Sequence, residues 1–188
     1  MKIKTLTTYD VYNYGASLQA YALMTYLTNL GNDVEIINYQ PSYLTRKYDY
    51  KWVNPESSMS RYAVTRVIYR ILKFVQRQTT MGRKRAFDQF TREWLRTTKR
   101  RYNSFEEINT NPPEADLYIA GSDQIWNVFY EAGRDPAFYL EFVRQGKRAS
   151  YAASFSYLDI DEANMRRIGN SLHKFTAISV RERQGLEL

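Results

Sequence analysis

The sequence predicts an α/β fold on a doubly wound, mostly parallel sheet, and three observations lead there. Short apolar runs alternate with stretches of helical periodicity along the chain. The first strand, helix and strand fit within about forty residues, the size of one βαβ unit with a right-handed crossover. Three polar stretches fall where predicted strands end, the position at which open α/β sheets bind ligands.

Residues 3–8 read as the first strand, which ends in the turn TYDVYNYG. Ala20, Leu23, Leu27 and Leu30 then recur at helical spacing across 16–30, and Gly31 ends that helix. Residues 34–39 read as a second strand stopped by Pro41. Residues 42–58 show no period and read as a loop. Two helices follow. In one, Val64, Val67, Ile68, Ile71, Leu72 and Val75 form an apolar stripe, while Arg66, Arg70, Lys73 and Arg77 line another face. In the other, Phe87, Phe90 and Trp94 share a face. Asn111-Pro112-Pro113 is a break before a buried strand at 116–120, which runs straight into GSDQIW. Residues 138–142 and 147–155 read as strands, the second rich in small residues. Asp159 and Glu162 form a capping box for a helix carrying Met165, Ile168, Leu172 and Phe175, and 177–180 read as a last strand.

At 188 residues, 44% hydrophobic and 25% charged, the chain has the make-up of one folded domain. No run approaches the roughly 18 apolar residues of a spanning helix, and Met1–Leu6 is too short and polar for a signal peptide. Without cysteine there are no disulfides, thiolate metal sites or cysteine nucleophiles, which fits a cytoplasmic location. The net charge of +7 is concentrated. Residues 66–101 hold twelve Lys/Arg against two acids, a net +10, which leaves −3 for the remainder. The basic helices at about 58–101 read as an insertion, and they are the place to look for an anionic partner.

The three strand-end stretches are Asn13-Tyr14-Gly15, Gly121-Ser122-Asp123-Gln124 and Ser154-Phe155-Ser156. Each supports two readings. Either they contact a ligand, or Gly15 serves a turn, Asn13 and Ser122 or Asp123 cap helices, the tyrosines are core, and Ala152, Ala153 and Ser154 are small because a helix lies close. Neither GxGxxG nor GxxxxGKS is present. His173, the only histidine, sits beside an apolar stripe with no partner at metal-ligand spacing, so no metal is expected. The basic segment is either a solvated face or a surface for an anionic glycan or membrane. No nucleic-acid reading motif accompanies it.

The ordered series NYGASLQAYAL, EIINYQP, DLYIAGSDQIWN, FYLEF, KRASYAASF and ISVRERQG resembles the N-terminal half of the polysaccharide pyruvyl transferase family. The resemblance covers the chain from Met1 to its last residues and is weakest between Ser42 and Thr110. It implies a GT-B-like architecture of two Rossmann-like domains facing across a cleft, with residues 1–188 as the first domain and the C-terminal domain beyond Leu188. It implies transfer of the enolpyruvyl skeleton of phosphoenolpyruvate to two sugar hydroxyls as a ketal, in cell-surface or exopolysaccharide synthesis. No cofactor is expected, phosphoenolpyruvate being the donor substrate. The implied partner is a sugar or lipid-linked oligosaccharide, met in the cytoplasm or at the inner face of the membrane.

In that family the general acid is a histidine, and most donor-binding cations lie in the C-terminal domain. With that domain expected beyond Leu188, this chain alone is expected to be inactive, and His173 does not match the family's histidine. The resemblance makes Tyr12, Asn13, Tyr14, Gly15, Gln19, Gly121, Ser122, Gln124, Ser154 and Arg181 the expected substrate-binding residues. Asp123 is the expected catalytic residue, orienting a sugar hydroxyl. Two other readings compete: a GT-B glycosyltransferase domain using a nucleotide sugar, and a non-catalytic module binding anionic glycan or membrane through 66–101.

Overall fold

The computed structural model describes residues 1–46, 62–156 and 160–186. Strands β1 (Lys2–Leu6), β2 (Asp33–Tyr39), β3 (Thr97–Tyr102), β4 (Leu117–Ala120) and β5 (Lys147–Ser150) form one sheet in the order β3-β2-β1-β4-β5. Every pairing is parallel, so the sheet is Rossmann-like, as expected. Helix α1 (Tyr14–Asn29) connects β1 to β2. Beyond β2 come the short α2 (Ser42–Thr45) and the long α3 (Ala63–Trp94), then β3 and α4 (Phe105–Thr110). Helix α5 (Glu162–Leu172) follows β5.

Alternating side chains divide the core between the two faces of the sheet. On one face Ile3, Val34, Ile36 and Ile119 meet Ala20, Leu23 and Met24 of α1 together with Leu95. There Tyr21 sets its ring edge-on to Phe90 and Trp94, at 5.9 and 6.0 Å, which fastens α1 to α3. On the other face Leu6, Ile37, Tyr39, Tyr118 and Ala120 meet Trp126, Phe138, Tyr139 and Ile168.

Several elements differ from the sequence reading. The basic segment carries one 32-residue helix, where two helices were expected, and the 58–101 range also contains β3. That strand escaped notice because TTKRRY buries only Thr98 and Tyr102. Lys99, Arg100 and Arg101 are exposed, as suits a charged edge strand. Residues 138–142 are not a strand. Asp135 accepts a bond from the Ala137 N–H at 2.9 Å and starts a 3-10 helix, Pro136–Tyr139, which Leu140 ends at φ 55°. The apolar run Ala137-Phe138-Tyr139-Leu140 is fully buried, which accounts for its lack of alternation. Residues 177–180 make isolated parallel bridges, Ala149 to Ala177 and Ala153 to Val180, in place of a strand. The expected loop at 42–58 opens with α2, and residues 47–58 lie outside those described. Asp159 also lies outside them, and Asp161 caps α5 by accepting from the Asn164 N–H at 2.9 Å. Phe175 falls beyond the end of α5, where its ring meets Trp126 edge-on at 6.0 Å.

Candidate functional site

β1 and β4 are neighbours in the sheet, yet their connections leave in opposite directions, β1 toward β2 and β4 toward β5. Their carboxyl ends therefore flank the crevice where the strand order reverses. The Asn13-Tyr14-Gly15 turn follows one of them and Gly121-Ser122-Asp123-Gln124 the other, so both stretches stand at the same edge of the sheet.

Two threonines from the end of β1 tie these strand ends together. Thr7 Oγ1 donates to the Ser122 carbonyl at 2.5 Å and accepts from Gln19 Nε2 at 2.8 Å. Thr8 Oγ1 donates to Asp123 Oδ2 at 2.5 Å, and the Gln124 N–H donates to Asp123 Oδ1 at 2.8 Å. Gln19 Nε2 also reaches the Ala16 carbonyl at 2.9 Å, while Gln19 Oε1 is buried with no partner among the described residues. Gly121 has a geometric reason to be glycine. Its φ is 109°, and a Cβ there would lie 2.4 Å from the Tyr151 carbonyl oxygen.

The helix-cap alternative for Ser122 and Asp123 does not hold, because no helix begins there. Trp126 does pack behind the loop. It is fully buried, its Nε1–H donates to the Phe138 carbonyl at 3.0 Å, and its ring stacks on Tyr139 at 5.9 Å.

The third stretch joins the group through the backbone, where Ser154 N–H donates to the Asp123 carbonyl at 2.9 Å. The Ser154 hydroxyl, fully buried, donates to Glu182 Oε1 and accepts from Arg181 Nη2 at 2.8 Å. The second Glu182 oxygen is buried without a partner among the described residues. Where a neighbouring helix was expected beside 152–154, Ala153 makes parallel bridges to Asp123 and to Val180.

The tyrosines divide by role. Tyr9 is core. Its hydroxyl donates to Asn38 Oδ1 at 2.9 Å and accepts from Gln40 Nε2 at 3.2 Å, and burial pushes its pKa up to about 12. Tyr12 and Tyr14 pack on α3, with ring centroids 6.1 and 4.9 Å from Phe87. Arg83 lies 5.4 Å from the Tyr14 ring and donates to the Tyr12 carbonyl at 3.0 Å, and Lys84 lies 5.2 Å from the Tyr12 ring. Asn13 caps α1, accepting from the Ala16 N–H at 3.2 Å. Gly15, exposed at the mouth of the turn, leaves that backbone open to approach.

Sequence reasoning missed Thr7 and Thr8, which looked like the end of a strand, and Glu182. It also missed Asp10. Burial, then the Asp88 carboxylate, raise the Asp10 carboxyl above its ordinary value. His173 is exposed at the end of α5, and Thr176 just after it bonds to Arg148 at the start of β5, away from the carboxyl edge.

The model of one protein family, described as polysaccharide pyruvyl transferase, matches residues 13–188. No curated protein and no solved structure matches the chain.

Proposed function

We propose a transfer function from one premise: this chain belongs to the polysaccharide pyruvyl transferase family. The reaction is ketal formation between phosphoenolpyruvate and a sugar. Two hydroxyl oxygens of the sugar bond to C2 of the enolpyruvyl group and phosphate leaves. One hydroxyl proton ends on the methylene carbon, which becomes a methyl group, and the other leaves with phosphate. The acceptor is a free or lipid-linked oligosaccharide, and the reaction belongs to the cytoplasm, where phosphoenolpyruvate is made.

Within that reaction the chain supplies the acceptor side. The observation that carries this is the polar group linking β1 to β4 at the reversal of strand order: Gln19, Thr7, Thr8, Ser122, Asp123 and Gln124. Amides, hydroxyls and one carboxylate are the chemistry that reads sugar hydroxyls. Each Asp123 oxygen accepts one bond from the protein, and each keeps a lone pair for a hydroxyl of the acceptor. Asp123 orients that hydroxyl and takes up its developing positive charge as the oxygen attacks. Tyr12 and Tyr14 contribute by bracing the turn against α3.

Two measurements test this reading. Incubating the transferase with phosphoenolpyruvate and an oligosaccharide should give an acid-labile ketal with one phosphate released per ketal. Transfer from a nucleotide sugar in its place would overturn it. In an amide NMR titration of the chain, the oligosaccharide should shift Gly15, Ser122 and Gln124. Shifts from phosphoenolpyruvate alone, with none from sugar, would reverse the assigned side of the cleft.

A further inference from the structure

Helix α3 has two unlike halves. Near its end Phe87 is buried, and Phe90 and Trp94 meet Tyr21, so this half is part of the core. At its start Val64, Val67, Ile68, Ile71, Leu72 and Phe74 are 46–70% exposed. The first five recur at i, i+3, i+4, i+7 and i+8, which gathers them on one stripe of the helix. On the helical wheel of the same sequence, positions 66, 70, 73 and 77 fall on the opposite side, and all four are Arg or Lys. Between residues 63 and 87 there are seven Lys/Arg and no acidic residue. The side chains at 66, 70, 73 and 77 lie outside those the structure describes.

A merely solvated helix would not gather apolar side chains on an open stripe, and a core helix would bury them. An open stripe combined with charge of one sign matches a helix lying at the surface of an anionic bilayer. Among the described residues no helix is long and apolar enough to cross a membrane, so the contact is a peripheral one. We infer that the first half of α3 docks on anionic phospholipid, its apolar stripe entering the headgroup boundary and its basic side drawn by the surface potential. The inference stands on α3 alone and does not depend on pyruvyl transfer.

The test is co-sedimentation of the chain with vesicles, without any substrate. The chain should bind phosphatidylglycerol–phosphatidylcholine vesicles at low salt, come off at high salt, and bind phosphatidylcholine alone far less. Ile71→Asp with Leu72→Asp should lower binding at least about tenfold. Both side chains are more than half exposed, so thermal melting should be unchanged. Replacing Arg66, Arg70, Lys73 and Arg77 with Gln should lower binding about fivefold per residue. Failure of the unaltered chain to bind at low salt overturns the inference, as does equal binding by these variants. A dimer in sedimentation velocity that Ile71→Asp with Leu72→Asp dissociates would overturn it too, since the stripe's occupant would then be a second copy.

Discussion

Replacing Asp123 with Asn removes one carboxylate oxygen from a position where both accept hydrogen bonds, from Thr8 at 2.5 Å and from the Gln124 N–H at 2.8 Å. The amide keeps one accepting oxygen and its NH2 can only donate to the Thr8 hydroxyl, so the charge-assisted bond on that side is lost. A hydrogen bond to a charged group contributes about 1.5–3 kcal/mol, and the half-buried setting of Asp123 puts the loss near the lower end, about 1–2 kcal/mol. In a domain of this size each kcal/mol lowers Tm by about 2–4 °C, so a fall of about 2–8 °C is expected. Had Asp123 been a helix cap, Asn would have replaced it with almost no loss. Transfer, read in the full-length transferase, should fall further than stability. A carboxylate that orients and assists a reacting hydroxyl is worth about 100-fold or more, read as the initial rate of phosphate release with acceptor present. Thr8→Val separates the two effects. It loses the same bond but keeps the carboxylate, so it should show a similar Tm and a much smaller loss of rate. If Asp123→Asn lowers Tm as expected and transfers at the normal rate, Asp123 only fastens β4 to β1 and has no part in the chemistry.

Two further outcomes follow from the same geometry. Gly121→Ala should cost about 2–4 kcal/mol, because positive φ and contact with the Tyr151 carbonyl act together. Gly31→Ala is the control. Its φ is 84° with nothing within 4 Å of a new Cβ, so it should cost only about 1–2 kcal/mol, and equal losses in denaturant melts would refute the close-approach argument. The Asp10 carboxyl is raised, so its proton is held more tightly in the folded state, and stability falls as pH climbs from the ordinary value through the folded one. Asp10→Asn should therefore raise Tm at pH 7, with the gain gone below about pH 4. A gain that is constant across that range would show the carboxyl to be unperturbed.

The elements that could be read from the sequence were those whose signal is local. β1, α1, β2 and α5 carry their own period, and Gly31 and Pro41 mark two of their ends. β3 could not be read, because an edge strand hides three exposed cations among its few inward residues. The range 138–142 misled because Phe138-Tyr139-Leu140, apolar without alternation, does not distinguish a strand from a buried turn. Asp135-Pro136, a cap ahead of a helix start, was the overlooked signal. At the site, Asn13, Ser122 and Asp123 stood out by falling at strand ends, while Gln19, inside α1, was expected only from the family resemblance. Thr8 and Glu182 did not, since their meaning comes from partners 115 and 28 residues away. Nothing in the sequence tells that Arg83 and Lys84 reach the tyrosines of the turn, since only the packing of α3 on α1 brings them there.

The central place of β1 also bears on how the chain is made. It leaves the ribosome before the other four strands of the sheet, and β2 can cover one of its edges about thirty residues later. Its other edge waits for β4, more than a hundred residues on. At about 5–20 residues per second the nascent chain carries that unpaired apolar edge for on the order of ten seconds. Such an edge is a template for pairing with another chain. The interval before Leu117 emerges is thus when this protein is most open to aggregation, and translational pausing within α3 should lower soluble yield more than an equal pause after β4.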